Sequence, residues 1–336
     1  MKRFVRLSAV CLELGAASVG AASLGAQSAQ CPAGSSAIDR QRITQDACQQ
    51  ALDLFQYMAP QLGTAIAGGN ATLGQGGSLG GLGHFVIGLR ANVVDGSVPQ
   101  VSQVPPSVTG ATSRQFPTKR GAIPMPVADA AVGLFKGLPL GLTNVGGIDL
   151  IVNASYIPKV NSSNVTLDPD TPLKLGYGVR VSALQESLLV PGVSFTYLKR
   201  DLPKMTITGV SNGDSVTVQN LDLETSAWRI VASKSLILFG IAAGYGRDTY
   251  KSSATAFGVV PTALGTQRSD PITAAQDVSR NNLFADLSLN LVVFKLVGEI
   301  GQVSGGTLAQ PTFNTFQGKA ALDSRLYGSV GLRFGF

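Results

Sequence analysis

The chain ends on the stretch LYGSVGLRFGF, which runs from Leu326 to Phe336. Every second residue from Leu326 onward is apolar or glycine, whereas the positions between them are small or polar and include Arg333. A period of two is typical of a β-strand with one apolar face. Because a bare apolar strand aggregates in water, the stretch predicts a strand whose apolar face is covered by a second layer or by lipid.

The same alternation recurs upstream, and only 14% of the residues are charged, below the roughly 25% of ordinary soluble domains. No run of about 18 apolar residues follows the N-terminal region, so helical membrane spans are not expected. The pattern predicts an all-β protein of about ten strands. They are expected near residues 83–95, 124–135, 146–158, 172–184, 191–203, 220–234, 235–248, 281–293, 294–304 and 323–336.

The predicted links between strands alternate in length. Those after the second, fourth, sixth and eighth strands are short, and those after the first, third, fifth, seventh and ninth are mostly long. Short periplasmic turns and long outer loops are the layout of bacterial outer-membrane barrels. We therefore predict a closed antiparallel transmembrane β-barrel over residues 83–336; a soluble β-sandwich is the alternative.

The N-terminal region has the features of a secretory signal. Lys2, Arg3 and Arg6 precede an apolar stretch that is followed by small residues, which predicts a signal peptide over residues 1–30 and export to the bacterial outer membrane. Cys31 and Cys48 then remain as an even pair in an oxidising compartment, so we predict a disulfide between them. Lipidation of Cys31 and free thiols are the alternatives.

Residues 31–82 form a lead that differs from the strand region. Apolar residues at helical spacing predict a helix from about Ser36 to Met58, with Ser36 and Asp39 as a capping box and Pro60 as its end. The following glycine-rich segment, residues 63–83, predicts a loop that is either flexible or closely approached by other chain segments. We expect the lead to cap or plug the periplasmic mouth.

The terminal YGSVGLRFGF resembles the C-terminal strand by which the barrel-assembly machinery recognises bacterial outer-membrane proteins. The blocks GLGHFVIGLRANVV and TSAWRIVASKSLILFGIAAGYG are similar to an uncharacterised family of such proteins. The resemblance implies a barrel, an assembly signal at Phe336 and no known activity. A helix and a glycine-rich segment before the barrel are loosely similar to long-chain fatty-acid transporters, although their N-terminal motif and larger strand number are absent.

Motifs for catalysis are weak. GVSNG, residues 209–213, matches a hydrolase nucleophile motif, but that motif needs a strand-turn-helix context and a histidine partner. Here it lies between two predicted strands, and the only histidine, His84, is expected at the opposite rim. We predict no enzyme activity, metal or cofactor. The net charge of +6 without a basic run interleaved with aromatic residues also gives no reason to expect nucleic-acid binding.

Polar residues opposite the apolar strand faces are expected to line the lumen, either as a salt-bridged core or as a narrow polar path. They are Arg90, Asn92, Asp129, Asp149, Asn153, Lys174, Arg180, Arg229, Asp286, Asn290, Lys295, Glu299, Arg325 and Arg333. Basic residues near the expected outer rim are candidates for lipopolysaccharide contacts, or else a solvated loop face. They are Lys119, Arg120, Lys159, Lys199, Arg200 and Lys204.

These patterns support two functions. One is a narrow channel or transporter for a small or lipid-like molecule, gated by the lead. The other is a closed structural or surface-interaction barrel whose long loops contact lipopolysaccharide or an external partner. Outer-membrane lipid and the barrel-assembly machinery are expected partners in both, and the oligomeric state stays open.

Overall fold

A computed structural model describes residues 28–32, 39–162, 164–211, 213–263, 265–291 and 293–335. Most of the predicted signal peptide, the capping residue Ser36 and the predicted assembly signal Phe336 lie outside these residues. The described part holds one α-helix, one 3-10 helix at Val101–Gln103 and eighteen strands.

The helix α1 spans Asp39–Ala67 and precedes all the strands. The strands are β1 Phe85–Pro99, β2 Gln115–Phe116, β3 Thr118–Phe135, β4 Leu138–Leu140, β5 Thr143–Val145, β6 Gly147–Tyr156, β7 Val160–Asn161, β8 Val165–Pro169, β9 Leu173–Leu184, β10 Gly192–Asp201, β11 Met205–Ser211, β12 Asp214–Ser235, β13 Phe239–Thr262, β14 Gly265–Arg268, β15 Ile272–Asn290, β16 Phe294–Ser304, β17 Thr315–Phe316 and β18 Arg325–Gly335.

Ten of these strands form a closed ring in which every strand is antiparallel to both neighbours. Their order is β1-β3-β6-β9-β10-β12-β13-β15-β16-β18, and β18 pairs with β1 to close the ring. This arrangement fits a β-barrel. The prediction of about ten strands for the chain is wrong, because the connections carry eight additional strands of only two to seven residues, too short for a repeating pattern to stand out.

The links at one end of the ring are mostly shorter than those at the other, as predicted, except that the link after β13 has only nine residues because β13 and β15 extend into the predicted loop. At one end the strands are joined by the links 136–146, 185–191, 236–238 and 291–293, and we call this the short-turn end. At the other end, the long-loop end, the links are 100–117, 157–172, 202–213, 263–271 and 305–324. The ring begins at Phe85 and finishes at Gly335, both at the short-turn end.

The ring is apolar outside and polar inside, the reverse of a soluble core. On β1, the outward side chain of Leu89 is 67% exposed and the inward side chain of Arg90 only 4%. On β12, Ile230 is 50% exposed and Arg229 is fully buried. Consecutive residues of a strand point to opposite faces, so each ring strand places one row of side chains on the outer wall and one in the interior.

Helix α1 is longer than the sequence predicts. It continues to Ala67, and Pro60 lies inside it, so the prediction that Pro60 ends the helix is wrong. The helix is almost fully buried from Ala47 to Ala67, and the Thr64 hydroxyl donates to the Pro60 carbonyl oxygen at 3.0 Å. Tertiary packing therefore overrides the local penalty of a proline. Within the described residues, no helix combines the length and apolarity needed to cross a membrane.

The lead enters the ring from the long-loop end, whereas the sequence predicts that it caps or plugs the end with the short turns. Asp53 of α1 accepts a hydrogen bond from the backbone N–H of Asn314 in the link 305–324, and the Gln61 amide donates to the Ser97 carbonyl oxygen near the end of β1. Beyond Ala67 the glycine-rich segment descends through the interior and reaches Gly133 and Lys136 at the short-turn end. The sequence could not show this, because nothing in a helical pattern reports which end of a ring the helix occupies.

Candidate functional site

The ring interior is filled by residues 65–79 of the lead, which we call the threaded segment. Inward arginines from several ring strands donate to its backbone carbonyl oxygens. Arg200 Nη1 contacts the Ala67 oxygen, Arg90 Nη1 the Asn70 oxygen and Arg333 Nη1 the Leu73 oxygen, each at 2.7 Å. Hydrogen bonds from a charged donor are among the stronger ones in proteins. Arg90 and Arg333 come from the neighbouring strands β1 and β18, and Arg200 comes from β10 across the ring, so the segment is held from two sides.

A fourth arginine and two amides hold the upper part of the threaded segment. Arg229 donates from Nε to the Gly69 oxygen and from Nη2 to the Gly68 oxygen, both at 3.1 Å. The amide of Asn282 also donates to the Gly68 oxygen, at 2.8 Å, and the amide of Asn92 donates to the Ala65 oxygen at 3.2 Å. Arg229, Asn282 and Asn92 come from β12, β15 and β1, so these contacts too come from separated parts of the ring.

Backbone N–H groups of the threaded segment find acceptors on the same inner wall. The N–H of Asn70 donates to Glu299 Oε2 at 2.6 Å, and that of Gly74 donates to Asp286 Oδ2 at 2.9 Å. Lower down, the N–H of Gly76 donates to Ser233 Oγ at 2.9 Å, and that of Leu79 donates to Asp149 at 3.1 Å.

The threaded segment approaches the wall closely at two glycines, and at Gly76 the neighbour is strand backbone, so that glycine is required. A Cβ added at Gly76 would lie 2.6 Å from the Ser233 nitrogen and 2.8 Å from the Ala232 carbonyl carbon, both in the backbone of β12. A Cβ at Gly69 would lie 2.5 Å from Glu299 Oε2 and 2.6 Å from the Tyr327 hydroxyl. Of the two predicted roles of this glycine-rich segment, close approach is the one observed.

Ion pairs between wall residues complete the interior. Arg90 Nε lies 2.9 Å from Asp129, Arg180 Nη2 lies 2.8 Å from Asp149, and Arg229 Nη2 lies 2.5 Å from Asp248, all with nearly full burial. Buried charges are tolerated only when they are paired and hydrogen-bonded. A cavity beside Thr72 and Leu73 measures about 10 Å³, room for no more than one water. The interior is therefore a packed polar core rather than an open path at this level.

The structure places all fourteen predicted lumen residues on the inner side of the ring. Ten of them are buried, and the remaining four, Lys174, Asn290, Lys295 and Arg333, are half-buried near the ends of their strands. Arg325 lies near the long-loop end, where its Nη2 donates to the Ala320 oxygen. Arg90, Asp129, Arg229, Asp286 and Glu299 converge around the threaded segment, whereas Lys174 and Asn290 do not reach it.

One lipopolysaccharide candidate is misplaced by the prediction. Arg200 is 1% exposed and points inward, where it also pairs with Asp129 at 3.5 Å. The strand period could have shown this, because Tyr197 and Lys199 share the outward face and Arg200 must then face the interior. The other candidates lie at the surface, and four of them pair with carboxylates: Arg120 with Asp95, Lys159 with Asp168, Lys199 with Glu224 and Lys204 with Asp222.

Several interior residues were not predicted. Asp248, Arg280, Asn282 and Tyr327 are buried, and the Tyr327 hydroxyl donates to Asn282 Oδ1 at 2.7 Å. Strand parity identifies Asp248, since it is three residues beyond the outward Tyr245. It does not identify the partners of Arg280, whose Nη2 donates to the carbonyl oxygens of Leu322 and Asp323 in a long loop.

At the long-loop end, the first part of α1 (residues 39–64) packs against the inner face of β12 and β13 and against the links 100–117 and 305–324. We call this assembly the cap. Cys31 and Cys48 are joined by a disulfide at its edge, and the N–H of Cys31 donates to Gln49 Oε1. The Tyr57 ring stacks on Phe316 with centroids 4.1 Å apart. The first part of the lead is thus held by the two links of the cap, and the threaded segment is held by the ring interior.

Two buried carboxyls of α1 organise the loops of the cap. Asp53 accepts hydrogen bonds from the backbone N–H groups of Phe313 and Asn314, each at 2.9 Å, and burial raises its pKa to about 6. Asp46 accepts from the N–H of Ser107 at 2.7 Å and pairs with Arg114, and burial raises its pKa as well. Both carboxyls act as acceptors that fix loop backbone against the helix.

The described residues offer little for catalysis or metal binding. They contain no group of three or more histidine, cysteine, aspartate or glutamate side chains that could hold a metal ion. His84 is exposed at the short-turn end, away from the buried carboxylates at the centre of the ring. The geometry therefore describes a site that holds a polypeptide segment, and the prediction that the protein is not an enzyme stays a prediction.

Comparison with known proteins gives no family. No protein-family model and no characterised protein sequence matches the chain significantly. Among solved structures, in-vitro folded OmpT, an outer-membrane protein of Vibrio cholerae, shares 10% identity with a TM-score of 0.21 and covers 81% of this chain and 99% of its own. Outer-membrane expressed OmpT of the same organism shares 7% identity with a TM-score of 0.18, covering 75% and 97%. At these scores the likeness carries no argument, and kinship with fatty-acid transporters stays a prediction.

Proposed function

We propose that the protein is a sealed β-barrel of the bacterial outer membrane that presents its cap and long loops to the exterior as a surface-interaction module. The observation that carries this proposal is the threaded segment, whose backbone is bonded to inward side chains around the ring. An open channel for small molecules would need that space to be free.

The outer wall supports a membrane location. Its mid-level side chains are apolar and well exposed, as in Leu175, Ile300 and Val330. An exposed apolar band of this extent on a monomer is a liability in water but suits lipid. Closure of the ring leaves no free strand edge in that band, as a β-structure in lipid requires.

Orientation follows from the layout of the links. Short turns lie on the periplasmic side of outer-membrane barrels and long loops outside, so we place the cap at the cell surface. Aromatic residues Tyr197, Trp228 and Tyr245 lie on the outer wall toward the long-loop end, where an interface belt is expected.

Lipopolysaccharide is the first partner class for this surface. Exposed Lys119 and the paired Arg120, Lys159 and Lys204 lie near the long-loop end, within reach of phosphate groups. Since surface ion pairs contribute little stability, a phosphate can replace the carboxylate partner of such a cation at small cost. The barrel-assembly machinery remains the proposed partner during insertion.

The test is electrical. Purified protein reconstituted in planar bilayers should give no steady conductance above the lipid baseline, while a general porin under the same conditions serves as the positive control. Heat-modifiable gel migration of the same sample establishes that the barrel is folded. A folded sample that conducts steadily would overturn the sealed barrel and favour the gated channel.

A further inference from the structure

We propose that the ring interior is a binding site for a polypeptide segment built from small residues and recognised through its backbone, and that the lead is the ligand held in cis. This goes beyond the proposed function, because it assigns the interior a ligand class that need not belong to the same chain segment. It also does not depend on where the ring is located.

The first argument is the chemistry of the contacts. The threaded segment offers carbonyl oxygens at Ala65, Ala67, Gly68, Gly69, Asn70 and Leu73, and each accepts from an arginine or asparagine of the wall. It offers N–H groups at Asn70, Gly74, Gly76 and Leu79, and each donates to a carboxylate or hydroxyl of the wall. Every polypeptide carries these backbone groups.

The second argument is how little the side chains of the segment contribute. Only the Asn70 amide makes a polar side-chain contact with the ring, donating to Asp286 Oδ2 at 2.7 Å. The hydroxyl of Thr72 is buried and has no hydrogen-bond partner. Selectivity therefore lies in size. Gly76 lies against the backbone of β12, which leaves no room for a Cβ, and a Cβ at Gly69 would require the side chains of Glu299 and Tyr327 to shift.

The third argument is that the lead is separable. Its disulfide joins Cys31 to Cys48, which both belong to the lead, so no covalent bond other than the main chain connects lead and ring. The main-chain connection passes Leu82, which is 80% exposed, and a Cβ at Gly83 would meet nothing within 4 Å. A cut at this position frees the lead without touching the contacts inside.

The experiment starts from the full chain with a specific protease site inserted after Leu82. The purified, folded protein is cleaved in detergent and passed over a size-exclusion column. We expect the lead and the ring to co-elute in equal amounts. If the lead leaves while the ring keeps its heat-modifiable migration, the inference is overturned.

The second stage replaces the ligand. The cleaved protein is unfolded in urea and the lead is removed. The ring is then refolded with a fluorescently labelled peptide of the whole lead, residues 31–82, so that the contacts of the cap are available as well. The peptide with Thr72→Val should bind as the natural peptide does, whereas a peptide with Gly69→Leu and Gly76→Leu should bind at least about tenfold less.

Equal binding of the leucine peptide, or refolding to the heat-modifiable form with no peptide bound, refutes backbone recognition by size. Failure to refold with the natural peptide, under conditions in which the uncleaved chain refolds, also counts against it. None of these results depends on conductance, so the inference and the proposed function can fail separately.

Discussion

Replacement of Gly76 by alanine tests the fit of the threaded segment against the ring. The added Cβ would lie 2.6 Å from the backbone nitrogen of Ser233 and 2.8 Å from the carbonyl carbon of Ala232. Both atoms belong to a central ring strand that cannot move aside without breaking its ladder, so overpacking should cost about 1–3 kcal/mol. The hydrogen bond from the Gly76 N–H to Ser233 Oγ would be lost as well, which adds about 1 kcal/mol.

We therefore expect Gly76→Ala to lower the free energy of unfolding by about 2–4 kcal/mol. The measurement is the urea-unfolding midpoint in detergent micelles, followed by heat-modifiable migration and tryptophan fluorescence. The matched control is Gly298→Ala, since a Cβ at Gly298 points outward and meets nothing within 4 Å. The control should stay within about 0.5 kcal/mol of the natural protein. Equal midpoints for the two variants would refute the reasoning.

Further predictions follow from the interior and the cap. Arg229→Met leaves Asp248 buried without its ion pair and should cost about 3–5 kcal/mol in the same unfolding assay. Arg120→Ala at the exposed pair with Asp95 should leave the unfolding midpoint nearly unchanged, and similar losses for the two variants would contradict the packed interior. Replacing Cys31 and Cys48 together by serine should destabilise the head of the lead by about 3 kcal/mol, seen as faster proteolysis before residue 48 with unchanged cleavage of the ring. Burial raises the pKa of Asp53 from 3.8 to about 6, so the folded cap binds this proton more tightly than the unfolded chain does. The stability of the cap should therefore fall by about 3 kcal/mol as the pH rises from 3.8 to about 6, and it should stay constant above that pH. Asp53→Asn should flatten that dependence in limited proteolysis of the link 305–324, and an unchanged slope would show that another group titrates.

Strand parity made much of the ring predictable. Leu89 and Arg90, or Arg229 and Ile230, differ in polarity because one faces outward and the other inward, and this contrast can be seen in the sequence. The predicted inward residues lie inside for that reason. Arg200 shows that position along the strand is not enough. Its place near a strand end suggests the outer rim, but its parity relative to Tyr197 places its side chain in the interior.

The ends of the long strands were harder to predict. β12 begins at Asp214 and β13 continues to Thr262, beyond the predicted 220–234 and 235–248. The added part of β13 is hard to predict because its outward residues are polar, as at Thr249 and Lys251. The inner face of both strands there is covered by α1, so burial continues on one side only. A two-residue alternation in which the outward residues are polar is only a weak signal for a membrane-spanning strand.

The path of the lead could not be derived from local pattern. Its glycines indicate close approach, but the approached groups, such as Glu299 and Ser233, are more than 150 residues away in sequence. Pro60 predicts a helix end, and only the packing of Thr64 and its neighbours inside the cap explains why the helix continues. Long-range contacts of this kind need the folded ring.

Hydrogen exchange of the threaded segment tests the central claim most directly. The N–H groups of Asn70, Gly74, Gly76 and Leu79 donate to wall side chains inside the ring. Mass-spectrometric exchange on the folded protein in detergent should therefore show residues 68–79 protected to the same degree as the ring strand β16, while the exposed stretch 305–312 exchanges within seconds. Exchange of residues 68–79 as fast as that stretch would contradict a lead threaded through and sealed within the ring.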